Sequence, residues 1–393
     1  DVASGGLITT LLEMCFSNTR GGLDLDLTGL GEEDPVKVFF NENPAVVIQA
    51  DDDKKIEEVF TARGLNFVKI GIPSAGREIR IVSFGHEYRL DIDSLRELWF
   101  KTSYLFDRKQ SGEELALERF RNYKRNVLSY DFKDFSGRAL DFGIDLKRCR
   151  PSGVNAAIIR EKGVNGDREM AYMMYLAGLD VKDVHMTDLI SGRENLEDVN
   201  LIVFVGGFSN SDVLGSAKGW AGAFKYNEKA RVALENFYRR DDTLSLGVCN
   251  GCQLMVELGL IYPEHEKMPK MLHNSSGKFE SAFVNVDIVE NNSVMLRSLA
   301  GMRLGAWIAH GEGRFSFPYA ENDYLIPYRF CYDFYPGNPN GSDFNAAAIC
   351  SKDGRHLAMM PHINAPDGET NNLPGILLLG LAALLFALGI KGS

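Results

Sequence analysis

Leu244-Ser245-Leu246-Gly247-Val248-Cys249-Asn250-Gly251-Cys252-Gln253-Leu254-Met255-Val256-Glu257-Leu258 is the stretch on which the fold turns. It reads as an apolar strand, a Gly-x-Cys-x-Gly turn and a helix, the pattern of a nucleophile elbow. The two glycines are expected to let the backbone bend sharply. The Cys249 thiol is then expected to lie exposed at a helix N-terminus, where the dipole favours thiolate. Cys249 is the candidate nucleophile. Cys252 lies three residues on, so the same segment is also a Cys-x-x-Cys, the mark of a redox pair or half a zinc site. Zinc would need a second pair, and Cys15, Cys149, Cys331 and Cys350 are scattered. The redox reading stays open on these residues alone.

The flanking sequence reads as an open α/β domain. Residues 154–159 form an apolar strand candidate, 163–166 a turn, and 168–177 an amphipathic helix closed by Gly178. Residues 181–184 and 201–205 are further strands, the latter running into Gly206-Gly207-Phe208-Ser209. Residues 227–240 show helical apolar spacing at Ala230, Val232, Ala233 and Phe237. Strands alternating with helices predict a parallel sheet with helices on both faces. Ligands bind such sheets at the carboxyl ends of strands, where Gly206, Gly207 and Cys249 fall.

Composition narrows the class of function. At 393 residues the chain is long enough for two domains and a large core. Six cysteines without regular spacing argue against a disulfide framework, and no N-terminal signal peptide is visible, so a cytoplasmic location is expected. A net charge of −11 speaks against nucleic-acid binding, which needs a basic patch.

Residues from about 150 to 362 resemble the glutaminase domain of phosphoribosylformylglycinamidine synthase, the purine-pathway glutamine amidotransferase. The matching pieces occur in the family's order. They begin with Arg160-Glu161-Lys162-Gly163-Val164-Asn165, Asp183-Val184-His185-Met186-Thr187-Asp188-Leu189 and Gly206-Gly207-Phe208-Ser209. Asp212-Val213-Leu214-Gly215, the elbow itself and Phe279-Glu280 follow. His310-Gly311-Glu312-Gly313-Arg314, Asn338-Pro339-Asn340-Gly341-Ser342 and Met359-Met360-Pro361-His362 complete the series. Asn210 and Ser211 stand where this family often has Tyr-Gly.

The resemblance continues upstream. Residues 1–95 are similar to the end of the same family's synthetase region, an α+β fold related to aminoimidazole ribonucleotide synthetase. Asp1-Val2-Ala3-Ser4-Gly5-Gly6-Leu7, Leu23-Asp24-Leu25-Asp26 and Phe39-Phe40-Asn41-Glu42 carry it. Ala3-Ser4 replaces the family's Ser-Asp, so a carboxylate is absent there. Residues 96–149 resemble the helical connection between the two parts. The implied architecture is therefore a flavodoxin-like class I glutamine amidotransferase domain preceded by part of a synthetase-like domain. The chain opens inside a motif without methionine, so a fragment lacking the family's N-terminal synthetase region is the expectation.

After His362 the sequence departs from the family. There, Pro-His is followed by Pro-Glu-Arg, and the glutamate completes a Cys-His-Glu triad; here Asn364 takes its place. Residues 373–390 form an uncharged apolar run within an atypical tail, 363–393. Three readings compete: a bilayer span, a buried helix, or a coding sequence that leaves the family's register. Nothing else calls for a membrane, and no membrane partner is expected.

The resemblance implies Cys249, His362 and Asn364 as catalytic residues, with glutamine as substrate. Gly206, Gly207 and Asn250 would form the oxyanion and substrate site together with His310 and Glu312. Asparagine can accept the imidazole's hydrogen bond, as in Cys-His-Asn proteases, but it adds no negative charge. Weakened or absent glutaminase activity is expected. The intact enzyme would use ATP and Mg²⁺, through residues not assigned here, whereas the glutaminase half-reaction needs no cofactor and no metal. The alternatives are an inactive fragment serving as an interaction domain and a Cys-x-x-Cys oxidoreductase.

Overall fold

The computed structural model describes residues 1–133 and 150–362. Asn364, the apolar run 373–390 and part of the expected connection lie outside them. The chain divides into two units, Asp1–Lys109 and Gln110–Ser393.

The first unit contains α1 (Gly6–Phe16), β1 (Gly22–Asp26), α2 (Pro35–Phe39), α3 (Asp53–Ala62), β2 (Gly71–Ser74), β3 (Glu78–Ser83) and β4 (His86–Asp91). Helix α4 (Ile92–Ser111) follows. The strands form one sheet in the order β2-β1-β3-β4, in which β1 and β3 run parallel. Alternation fixes which face is buried. Ile79 and Ile81 point into a core with Ile8, Leu11, Leu25 and Leu27, while Arg80 between them pairs with Glu87.

The second unit opens with α5 (Glu113–Asn122). Then come β5 (Asn155–Arg160), α6 (Asp167–Leu176), β6 (Asp180–His185), α7 (Met186–Ser191), β7 (Leu201–Phe204), α8 (Lys218–Lys225) and α9 (Glu228–Arg239). The elbow strand β8 (Leu244–Val248) leads to α10 (Asn250–Glu257), and β9 (Lys270–Leu272), β10 (Glu280–Ile288), β11 (Arg303–His310) and β12 (Arg314–Ser316) follow. Strands β13 (Leu325–Phe330), β14 (Ala346–Cys350) and β15 (His356–Met359) complete it.

Nine strands make the main sheet, in the order β11-β10-β13-β14-β15-β8-β7-β5-β6. The half from β15 to β6 is parallel. Numbered along the chain, its strands lie in the order 2-1-3-4-5, the flavodoxin-like arrangement. Strands β7 and β8 are buried at every residue, as expected of parallel strands covered on both faces. The remaining strands are antiparallel, an extension that the helix–strand alternation did not predict. In α9 the Asn227 side chain caps the Ala230 N–H, and Ala230, Ala233, Leu234 and Phe237 face the core. Val232, expected on that face, points outward instead. Among the described residues, no helix is long and apolar enough to cross a membrane.

Candidate active site

Cys249 is the one residue between β8 and α10, and it carries the bend itself, at φ 52° and ψ −106°. A non-glycine residue held there stores roughly 1–3 kcal/mol of strain. Its N–H donates to the Met359 carbonyl at 2.9 Å and its carbonyl accepts from Gln253 N–H at 3.0 Å, so both neighbours hold it in place. The expectation that the glycines supply the bend is corrected: neither Gly247 nor Gly251 has a positive φ. They supply clearance. A Cβ on Gly251 would stand 2.0 Å from the Phe204 carbonyl oxygen, and one on Gly247 would stand 2.5 Å from the Gly251 oxygen.

The expected exposed thiolate is also corrected. Cys249 is 5% exposed, and burial pushes its thiol up to about 12. The N–H groups of Asn250 and Gly207 reach the sulfur and pull the other way, and the nearby Asp212 carboxylate adds to the rise. Desolvation outweighs the helix N-terminus, so the Cys249 side chain is a thiol at pH 7. Its Sγ donates weakly to the Ala309 carbonyl at 3.8 Å.

The Gly207 N–H is delivered by a loop zipped to the segment after β5. Asn165 N–H donates to Gly206 O at 3.0 Å, and Phe208 N–H to Gly163 O at 2.9 Å. Gly207 has φ +112°, and a Cβ there would lie 2.7 Å from the Val164 Cα, so no side chain fits. Gly206 faces the chemistry. A Cβ at that position would lie 3.3 Å from His362 Cε1 and 3.5 Å from Cys249 Cβ, so imidazole and thiol flank one small space. His362 is held there by its N–H to Trp307 O at 2.7 Å, just beyond the end of β15.

The structure therefore brings Gly206, Gly207, Cys249, Asn250 and His362 together at the carboxyl ends of β7, β8 and β15. His310 and Glu312 stand behind them. His310 is buried, its Nε2 lies 2.9 Å from Asn340 Oδ1, and burial holds it down to about 4, so it is neutral at pH 7. Asn340 Nδ2 donates to Gly313 O, which leaves its Oδ1 to accept from Nε2–H and fixes the tautomer. The Glu312 carboxylate accepts from Ser216 N–H at 3.3 Å and its carbonyl from Gln253 Nε2 at 2.8 Å.

Sequence reasoning quoted Asp212 and Gln253 in motifs but gave them no role. Asp212 accepts from Ala217 N–H at 3.2 Å, from Asn250 Nδ2 and from the Ser216 hydroxyl, while Asn250 Oδ1 accepts from Ser209 N–H. Together they tie the loop after β7 to the elbow helix. A cleft of about 410 Å³ borders the same loop, lined by Glu161, Asn210, Val213, Leu214, Gly219 and Ala223; Cys249 is not among its walls. Cys252 is fully buried in the first turn of α10, and both elbow cysteines are free thiols.

Residues 153–372 match the family of CobB/CobQ-like glutamine amidotransferase domains. The chain belongs to that family. Its antiparallel extension, elbow and glycine loop are thus those of a glutamine amidotransferase domain. The chain is 37% identical over 390 residues to a probable phosphoribosylformylglycinamidine synthase of Caenorhabditis elegans, covering 92% of this chain and 29% of that protein. It is 38% identical over 395 residues to human phosphoribosylformylglycinamidine synthase, with the same coverage. The chain thus spans 29% of the length of these relatives. A solved structure of PurLQS from Thermotoga maritima shares 26% identity at a TM-score of 0.48, over 60% of this chain and 99% of that one. The family resemblance read from the motifs is borne out by the Caenorhabditis elegans and human relatives.

Proposed function

We propose that this chain hydrolyses glutamine at Cys249 and releases ammonia, as the glutaminase portion of a phosphoribosylformylglycinamidine synthase. The observation that carries the reading is the convergence of the Gly207 and Asn250 N–H groups on the Cys249 sulfur, with His362 across Gly206. The sulfur attacks the glutamine side-chain amide carbon while His362 takes the thiol proton. Because burial pushes the thiol up to about 12, this transfer accompanies the attack rather than preceding it. The amide oxygen gains charge between the two N–H donors, each worth about 2.7–4 kcal/mol in such sites. The C–N bond breaks, His362 returns the proton to the leaving ammonia, and water hydrolyses the γ-glutamyl thioester to glutamate with His362 as base. Asn364 would orient His362 through its side-chain oxygen, a weaker partner than the family's carboxylate.

In the whole enzyme the ammonia would convert formylglycinamide ribonucleotide to formylglycinamidine ribonucleotide, with ATP consumed and Mg²⁺ accompanying it in the synthetase region, in the cytoplasm. Among the described residues no group of three or more His, Cys, Asp or Glu side chains is placed to hold a metal ion. The test is glutamate release from glutamine by the chain, slow but abolished by Cys249→Ser and raised by Asn364→Glu. Activity that survives Cys249→Ser overturns the reading. Reversible formation of a Cys249–Cys252 disulfide, with no glutamate release, would favour the redox alternative.

A further inference from the structure

A buried polar cluster links α5 to the start of β10. Glu280 opens β10, and its side chain is 4% exposed. Its carboxylate accepts from the Tyr335 hydroxyl at 2.7 Å and from Arg119 Nη2 at 2.8 Å. Arg119 also donates to the Tyr335 hydroxyl, and its guanidinium lies 4.7 Å from the centre of that ring. The helix is stitched on at two further points. Glu118 accepts from Tyr335 N–H, and Asn122 Nδ2 donates to Tyr335 O. A buried carboxylate is tolerated only with such partners, so the pair fixes where β10 begins.

That starting point governs two contacts at the nucleophile. Glu280 stands opposite His310 in the β10–β11 ladder, and Ser281 stands opposite Ala309, whose carbonyl is the one the Cys249 thiol meets. Phe279, the residue before Glu280, sets its ring 6.3 Å from that of Phe208, the residue after Gly207. One ion pair thus fixes a wall of the thiol and braces the loop that delivers an N–H to it. Neither Arg119 nor Glu280 approaches the sulfur in any of these contacts, so both act through others.

We propose that Arg119, on the helix that precedes the amidotransferase sheet, is a positioning residue for the Cys249 chemistry, acting through Glu280 on Ala309 and on the Phe279–Phe208 contact. The inference rests on the glutaminase reading. Its test uses the full chain and compares two rates of Cys249 alkylation: by a glutamine-analogue diazo-ketone, which needs the formed site, and by iodoacetamide, which needs only access. Arg119→Ala is expected to lower the diazo-ketone rate about tenfold, the scale on which small misplacements act, with the iodoacetamide rate unchanged or higher. Arg119→Lys should recover part of the loss, because the charge returns without the guanidinium's geometry. Should Arg119→Ala fail to fold, the double variant Arg119→Met with Glu280→Gln removes the tether without leaving a buried charge. It should show the same selective loss. Equal diazo-ketone rates in the wild type and a folded variant overturn the positioning role, as does a parallel fall in both rates. A wild type that the diazo-ketone does not label overturns the glutaminase reading itself, and this inference with it.

Discussion

The elbow and the loop at Asn210–Asp212 both hold non-glycine residues at positive φ, and the loop adds a side-chain clasp to its main-chain hydrogen bonds. Cys249 is locked by the core: main-chain hydrogen bonds on both sides and two glycines that leave no room for movement. Asn210, Ser211 and Asp212, at φ 52°, 57° and 48°, are also held by the main chain, through Asn210 N–H to Lys162 O at 2.7 Å and Ser211 N–H to Phe208 O at 2.9 Å, and in addition by the Asp212 carboxylate and the Asn250 amide. The strain at Cys249 is therefore held by main chain and packing, whereas the loop's is shared between the main chain and a polar clasp that one substitution can weaken. The two also differ in kind. Asn210 and Ser211 occupy the ordinary left-handed region, while Cys249, at ψ −106°, lies in a more costly one.

The largest effect should come from the elbow's clearance. Gly251→Ala places a Cβ against the Phe204 carbonyl and should cost about 3 kcal/mol or more in urea denaturation. A wild-type midpoint would show that the elbow is softer than described. Next, Cys249→Gly should be more stable than Cys249→Ala by about 1–2 kcal/mol, since glycine alone relieves the bend. Equal stabilities would mean that the cysteine bears no strain.

The clasp is tested by pH. Burial raises the Asp212 carboxyl above its usual 3.8, so the folded state holds this proton more tightly than the unfolded one. Its contribution to stability is full below the unfolded value and is lost as pH rises through the folded value. Asp212→Asn, which keeps an acceptor oxygen, should flatten that decline in melting curves taken from pH 3.5 to 7. An unaltered slope would assign the decline to other groups. The smallest effect belongs to Ser211→Gly, expected to stabilise by about 0.5 kcal/mol as left-handed strain is relieved against added unfolded-state entropy. A loss of stability there would mean that the serine side chain contributes contacts that outweigh its backbone conformation.

Much of this was legible in the sequence, for physical reasons. Parallel strands covered on both faces read as unbroken apolar runs, and residues 201–205 announced β7 to within one residue. The Gly-x-Cys-x-Gly pattern announced the turn between β8 and α10. It could not say which residue bends, because glycine serves equally for conformational freedom and for clearance, and only the neighbouring Phe204 carbonyl decides. Nor could it give the thiol's burial, which comes from Ala309, Met359 and the loop after β7, all distant in sequence. The antiparallel half was missed because β11 alternates buried and half-exposed residues rather than forming an apolar run. Asp212 and Glu280 carried no local signal of role, since the partners that tie them to other elements, Asn250 for the first and Arg119 and Tyr335 for the second, are distant in sequence.

The most direct measurement is peptide mapping by mass spectrometry after the wild-type chain meets a glutamine-analogue diazo-ketone, with and without excess glutamine. The account predicts a single adduct on Cys249 that glutamine suppresses and that Gly206→Ala, filling the space between thiol and imidazole, prevents without unfolding the protein. A folded wild type that shows no adduct, or one that glutamine does not protect, would contradict it.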